Sequence, residues 1–76
     1  MTKCNVQFYP YMSMDVIFPN KTVSESQELV KEYKEFKKNH VGFIFMPFTR
    51  WLKSKNIEFQ EYDGSEPDII IDYETL

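Results

Sequence analysis

Cysteine, histidine and glycine are nearly missing from this chain, and each scarcity removes a class of function. Cys4 is alone, so no internal disulfide can staple the domain as in small secreted proteins, and no secretory hydrophobic segment precedes it. A cytoplasmic protein is the expectation. The two glycines, Gly42 and Gly64, cannot build a glycine-rich phosphate cradle. The one histidine, His40, lies thirty-six positions from Cys4, and neither residue carries the local signature of a nucleophilic pair. Apolar runs end at the four residues Phe43-Ile44-Phe45-Met46, far short of a bilayer span.

One further absence is positional. Residues 58–76 hold no basic side chain but seven carboxylates, Glu58, Glu61, Asp63, Glu66, Asp68, Asp72 and Glu74. Residues 31–55 hold seven bases against two acids. The net charge of −3 therefore conceals a chain with a basic middle and an acidic end.

What is present is aromatic. At 76 residues the chain allows one domain, residues 1–76, near the size at which a single core is only just sufficient. Seven Phe, five Tyr and one Trp supply that core, because large rings bury the most area per residue ordered.

Between Cys4 and Phe18 the apolar side chains keep even parity: Cys4, Val6, Phe8, Met12, Met14, Val16, Phe18. This is strand periodicity with one buried face. Pro10 cannot donate to a ladder, and a three-residue turn at Tyr9-Pro10-Tyr11 sets Phe8 opposite Met12, Val6 opposite Met14 and Cys4 opposite Val16. Next come two overlapping capping boxes, Thr22 with Glu25 and Ser24 with Gln27, which predict a helix over residues 25–38. Leu29, Val30, Tyr33, Phe36 and His40 fall on its inner side, and Lys31, Lys34 and Lys38 on its solvent side. Gly42 suits the helix stop, residues 43–46 read as a buried strand or packed linker, and Pro47 opens a short helix through about residue 55. That helix carries Phe48, Trp51 and Leu52 inward, and Asn56 ends it.

Residues 57–62 and 68–73 flank the turn Asp63-Gly64-Ser65-Glu66-Pro67, which predicts a second hairpin. With Tyr62 opposite Asp68, Glu58 stands across from Asp72 on the outer face. The fold class is then α+β, a small single domain of order ββα(β)αββ. Two hairpins form a mainly antiparallel sheet, with one longer and one short helix on one face.

Chemistry is sparse. Glu61, expected near Ile69, is the only carboxylate with a route to a raised pKa, and it sits close to a hairpin tip. Asp63, Ser65, Glu66 and Asp68 lack the spacing of a calcium loop, and turn chemistry accounts for them. No catalytic, metal or cofactor site is expected, and no enzyme. Like charges opposed in a sheet are destabilising, so an acidic hairpin implies a use or a solubilising guard. The functional expectation is a non-enzymatic protein-binding module that occludes a basic surface of a target, such as a nucleic-acid-binding protein. Its contacts are Glu58, Asp68, Asp72 and Glu74, with Tyr62 as aromatic anchor. Domains of this size and charge resemble the accessory inhibitors made by phages against host or defence proteins, and nucleic-acid mimicry is one case of the acidic-surface reading. Two other readings compete with it. A nucleic-acid-binding regulator would act through Lys31, Lys34 and Lys38, with Tyr33 or Trp51 stacking bases, and a homodimer would form by pairing of edge strands.

Overall fold

Even parity becomes a hairpin. In the computed structural model, which describes residues 1–8, 12–39, 46–62 and 66–76, β1 (Thr2–Phe8) and β2 (Met12–Phe18) pair antiparallel. The register is Cys4↔Val16, Val6↔Met14 and Phe8↔Met12, the one that parity requires. The turn between them lies outside the described residues. Thr2 is buried, and its hydroxyl donates to the Lys21 carbonyl at 2.6 Å, tying the start of β1 to the segment that enters the first helix.

α1 spans Val23–Asn39 and starts on the Thr22 capping box. The Thr22 N–H donates to Glu25 Oε1 at 2.9 Å, and the Glu25 N–H donates to Thr22 Oγ1 at 3.1 Å, so two donors at the helix start are satisfied reciprocally. The Ser26 hydroxyl donates to the Thr22 carbonyl at 2.8 Å, which lets this polar side chain sit fully buried. The expected helix stop at Val41 and Gly42, His40 itself and the segment from Phe43 to Phe45 lie outside the described residues.

α2 spans Phe48–Ser54, with Pro47 extended at its entrance. Its exit is a Schellman turn. Asn56 takes a left-handed φ of 58°, its N–H bonds the Lys53 carbonyl at 3.1 Å, and the Ile57 N–H bonds the Leu52 carbonyl at 3.0 Å. Phe48, Trp51 and Leu52 point inward and meet Leu29, Val30 and Tyr33 of α1. Both helices cover the even-numbered face of the hairpin, where Cys4, Val6, Val16 and Phe18 are fully buried.

The C-terminal segments do not form the expected hairpin. β3 (Gln60–Glu61) pairs antiparallel with β2, β4 (Ile69–Asp72) pairs parallel with β1, and the four-stranded order is β3-β2-β1-β4. β3 and β4 thus occupy opposite edges, roughly 14 Å apart at about 4.8 Å per strand. Glu58 and Asp72 are not cross-strand partners, and Glu61 is exposed at one edge rather than opposite Ile69. The reason is physical. A closed C-terminal hairpin would leave the second edge of β1 unpaired and set like charges side by side. Splitting it makes β1 a central strand and buries Ile71 in the core, with Ile69 packed against it. The chain then closes with a 3-10 turn, Tyr73–Thr75, which Asp72 caps.

Candidate functional surface

The helices occupy one face of the sheet, and strand register decides what lies on the other. Reading across from β3 to β4, one row is Gln60, Ile17, Lys3 and Asp68; the Asp68 N–H donates to the Lys3 carbonyl at 2.8 Å and so extends the ladder. The next is Tyr62, Asp15, Asn5 and Ile70, the first held by a 3.4 Å bond from the Tyr62 N–H to the Asp15 carbonyl. A third joins Ser13, Gln7 and Asp72. These rows carry three carboxylates, Asp15, Asp68 and Asp72, against the single base Lys3.

Hydrogen bonds fix much of this face. Asn5 Nδ2 donates to Asp15 Oδ1 at 2.7 Å, and Gln7 Nε2 donates to Asn5 Oδ1 at 3.2 Å. Asp68 Oδ2 accepts the Lys3 N–H at 2.9 Å, and Asp72 Oδ1 accepts the Glu74 N–H at 3.0 Å. The bonds accepted by Asp15, Asp68 and Asp72 each employ one carboxylate oxygen. The face is ordered without its charge being cancelled, because N–H groups of amides carry no formal charge.

The expected contact residues separate into two groups. Tyr62, Asp68 and Asp72 share the helix-free face. Glu58 lies before β3, exposed, and accepts from Asn20 Nδ2 at 2.7 Å beside the turn that leaves β2. Glu74 is exposed in the closing turn beyond β4. Tyr62 is only partly exposed, and its hydroxyl is shut off from solvent without a hydrogen-bond partner among the described residues. Burial first, then the charges of Asp15, Cys4 and Asp68, hold its pKa above the ordinary phenol value. The exposed apolar group on this face is instead Ile70, at 60% exposure. Asp15 and Ile70 were both missed as contacts. Their odd and even positions placed each on a polar face, but nothing in the sequence joined the two faces into one.

Other candidate chemistry finds little support. Cys4 is fully buried, and burial pushes its thiol pKa up against a smaller lowering by its hydrogen bond with Ser26, the reverse of an activated nucleophile. No cluster of metal-ligating side chains occurs among the described residues. A cleft of about 680 Å³ opens between the sheet and the helices, lined by Phe8, Met14, Met46, Phe48 and Tyr73, with Lys37, Asp15 and Glu61 among its polar lining. Tyr33 also lines it, but its hydroxyl already donates to the Met46 carbonyl at 2.6 Å. The lysine stripe is not uniformly free. Lys31 and Lys38 are exposed, whereas Lys34 turns back onto the chain and donates to the carbonyls of Tyr73, Glu74 and Leu76 at 3.0, 3.3 and 3.0 Å. Tyr33 and Trp51 are 3% and 2% exposed, so neither ring is presented for base stacking.

No helix among the described residues is long and apolar enough to cross a membrane. No protein-family model matches the chain, and no curated protein or solved structure matches it significantly.

Proposed function

We propose that this chain is a non-enzymatic protein-binding domain whose helix-free sheet face docks on a basic surface of another protein and occludes it. The supporting observation is the assembly of Asp15, Asp68 and Asp72 in adjoining rows around exposed Ile70, with Lys3 the only base in those rows. Glu58 and Glu74 extend the negative field at two ends of the sheet, and Tyr62 braces the face. Complementary charge accelerates encounter and fixes orientation, and a central apolar group supplies burial. A target whose basic groove serves nucleic acid would be inhibited by competition, as an accessory inhibitor of the phage type would act.

The test uses a basic protein captured by the wild-type chain from an extract, with affinity then measured across ionic strength. Asp15→Asn with Asp72→Asn should weaken binding by about tenfold and flatten its salt dependence. Unchanged affinity and unchanged salt slope would reject this face as the contact. The nucleic-acid reading is checked by gel shift with Lys31→Ala and Lys38→Ala. Affinity for DNA or RNA that these two changes abolish would favour it over docking on a protein.

A further inference from the structure

The proposed docking face ends at an unpaired strand. β4 closes one side of the sheet, and its outer backbone edge meets no other strand among the described residues. After Asp72 the chain turns toward α1, where Lys34 holds it, so the closing turn is drawn to the helix side. The opposite edge is different in kind. β3 is two residues long, one of them exposed Glu61, and exposed Glu58 precedes it, the brevity and charge with which proteins protect an edge. β4 has four residues with a 60% exposed isoleucine at its centre and no lysine or proline.

We infer that β4 is a strand-addition site for an extended segment of a partner protein with the pattern basic, any, apolar, any, basic. This deepens the docking reading above and rests on it. The pattern follows from register. Asp68, the residue before β4, and Ile70 and Asp72 within it alternate on the helix-free face, about 7 Å apart at two-residue spacing. A strand added along β4 and its entrance therefore sets three of its own side chains beside them, with one Asp68 oxygen already accepting the Lys3 N–H. Bases beside Asp68 and Asp72 are complementary, and an apolar residue beside Ile70 covers its exposed surface. The pattern reads the same in both directions, so it holds for parallel or antiparallel addition. Backbone hydrogen bonds supply affinity and the alternating side chains supply selectivity.

The same charges argue against a second copy of this chain. Antiparallel self-pairing about Ile70 would set each Asp68 opposite the Asp72 of the other copy, two like-charge pairs flanking one apolar contact.

The experiment measures fluorescence anisotropy of a labelled peptide, Thr-Lys-Thr-Val-Thr-Lys-Thr, against the full chain. A scrambled peptide and two backbone N-methylated forms, one methylated at odd and one at even positions, serve as comparisons. The alternating peptide should bind with salt-sensitive affinity. One methylated form should lose about tenfold or more while the other retains binding, because only one set of N–H groups faces the domain. Ile70→Lys, at an exposed position, should give a similar loss with an unchanged circular dichroism spectrum. Equal binding by both methylated forms would overturn strand addition while leaving charge-driven docking on the face intact. If neither the alternating nor the scrambled peptide binds at low salt, both readings fail. A concentration-dependent dimer in sedimentation that Ile70→Lys abolishes would show that the edge serves self-association and would overturn the proposed partner.

Discussion

Lys34 is fastened to the backbone of Tyr73, donating to its carbonyl at 3.0 Å while its Nζ stands 5.4 Å from the centroid of the same residue's ring. Two more carbonyls, of Glu74 and Leu76, complete the coordination. One ammonium thus gathers acceptors from the closing turn, and α1 and the end of the chain are joined through it. This side chain is structural, although its sequence position marks it as one of three solvent-facing lysines.

Lys34→Met is therefore expected to destabilise the domain by about 1–2 kcal/mol, with partial solvent exposure reducing the value expected of a fully buried charged donor. Lys31→Met and Lys38→Met should change stability by less than about 0.5 kcal/mol. Urea unfolding of the three variants checks the contrast. Equal midpoints would show that the carbonyl contacts carry no net stability.

The capping box gives a second expectation. Thr22→Ala removes the side-chain acceptor of the Glu25 N–H and should cost about 1 kcal/mol. The Glu25 pKa is lowered chiefly by the backbone N–H of Thr22, so its folded value lies below its unfolded one. Its contribution is present above the unfolded pKa and disappears as pH falls through the folded pKa. Glu25→Gln should accordingly flatten the acid limb of a stability-against-pH curve, as read by thermal melts. A limb of unchanged slope would count against the bond.

Tyr33 governs the alkaline side. Burial, with a smaller contribution from Tyr73, pushes its phenol up to about 12 from the ordinary value of 10.0. The folded state holds the proton more tightly than the unfolded chain. Stability is therefore full below pH of about 10 and lost as pH rises toward about 12. Ultraviolet difference titration should find at least one tyrosine that ionises only with unfolding. Tyr33→Phe should lower neutral-pH stability by about 1 kcal/mol through the lost bond to Met46 and weaken the alkaline dependence.

The parallel pairing of β4 with β1 has a direct covalent check. Asn5 and Ile70 are Cα partners on the helix-free face, and adjacent strands stand about 4.8 Å apart, within the range a disulfide spans. Asn5→Cys with Ile70→Cys, made in a Cys4→Ala background, should oxidise to an intramolecular crosslink. A pair that stays reduced under oxidising conditions would favour the hairpin pairing of residues 57–62 with 68–73.

Local periodicity carried much of the fold. Even parity from Cys4 to Phe18, together with the three-residue spacing between Phe8 and Met12, set the first hairpin and its register, because a one-residue slip would turn every apolar side chain to the wrong face. Thr22 with Glu25, Pro47 and Asn56 marked helix ends through bonds made within a few residues. The candidate surface was legible only in part. Asp68, Asp72 and Tyr62 could be named, but their neighbours Asp15 and Ile70 could not, since those contacts join positions from opposite ends of the sequence.

What the sequence determined by itself was which side chains face inward, where the helices begin and end, and that negative charge gathers toward one terminus. Tertiary structure alone decided which strands are neighbours. Parity constrains which face a residue joins but not which edge its strand takes. That choice fell to the unpaired second edge of β1, the burial of Ile71 and the repulsion among carboxylates that pairing the last two strands would have brought together.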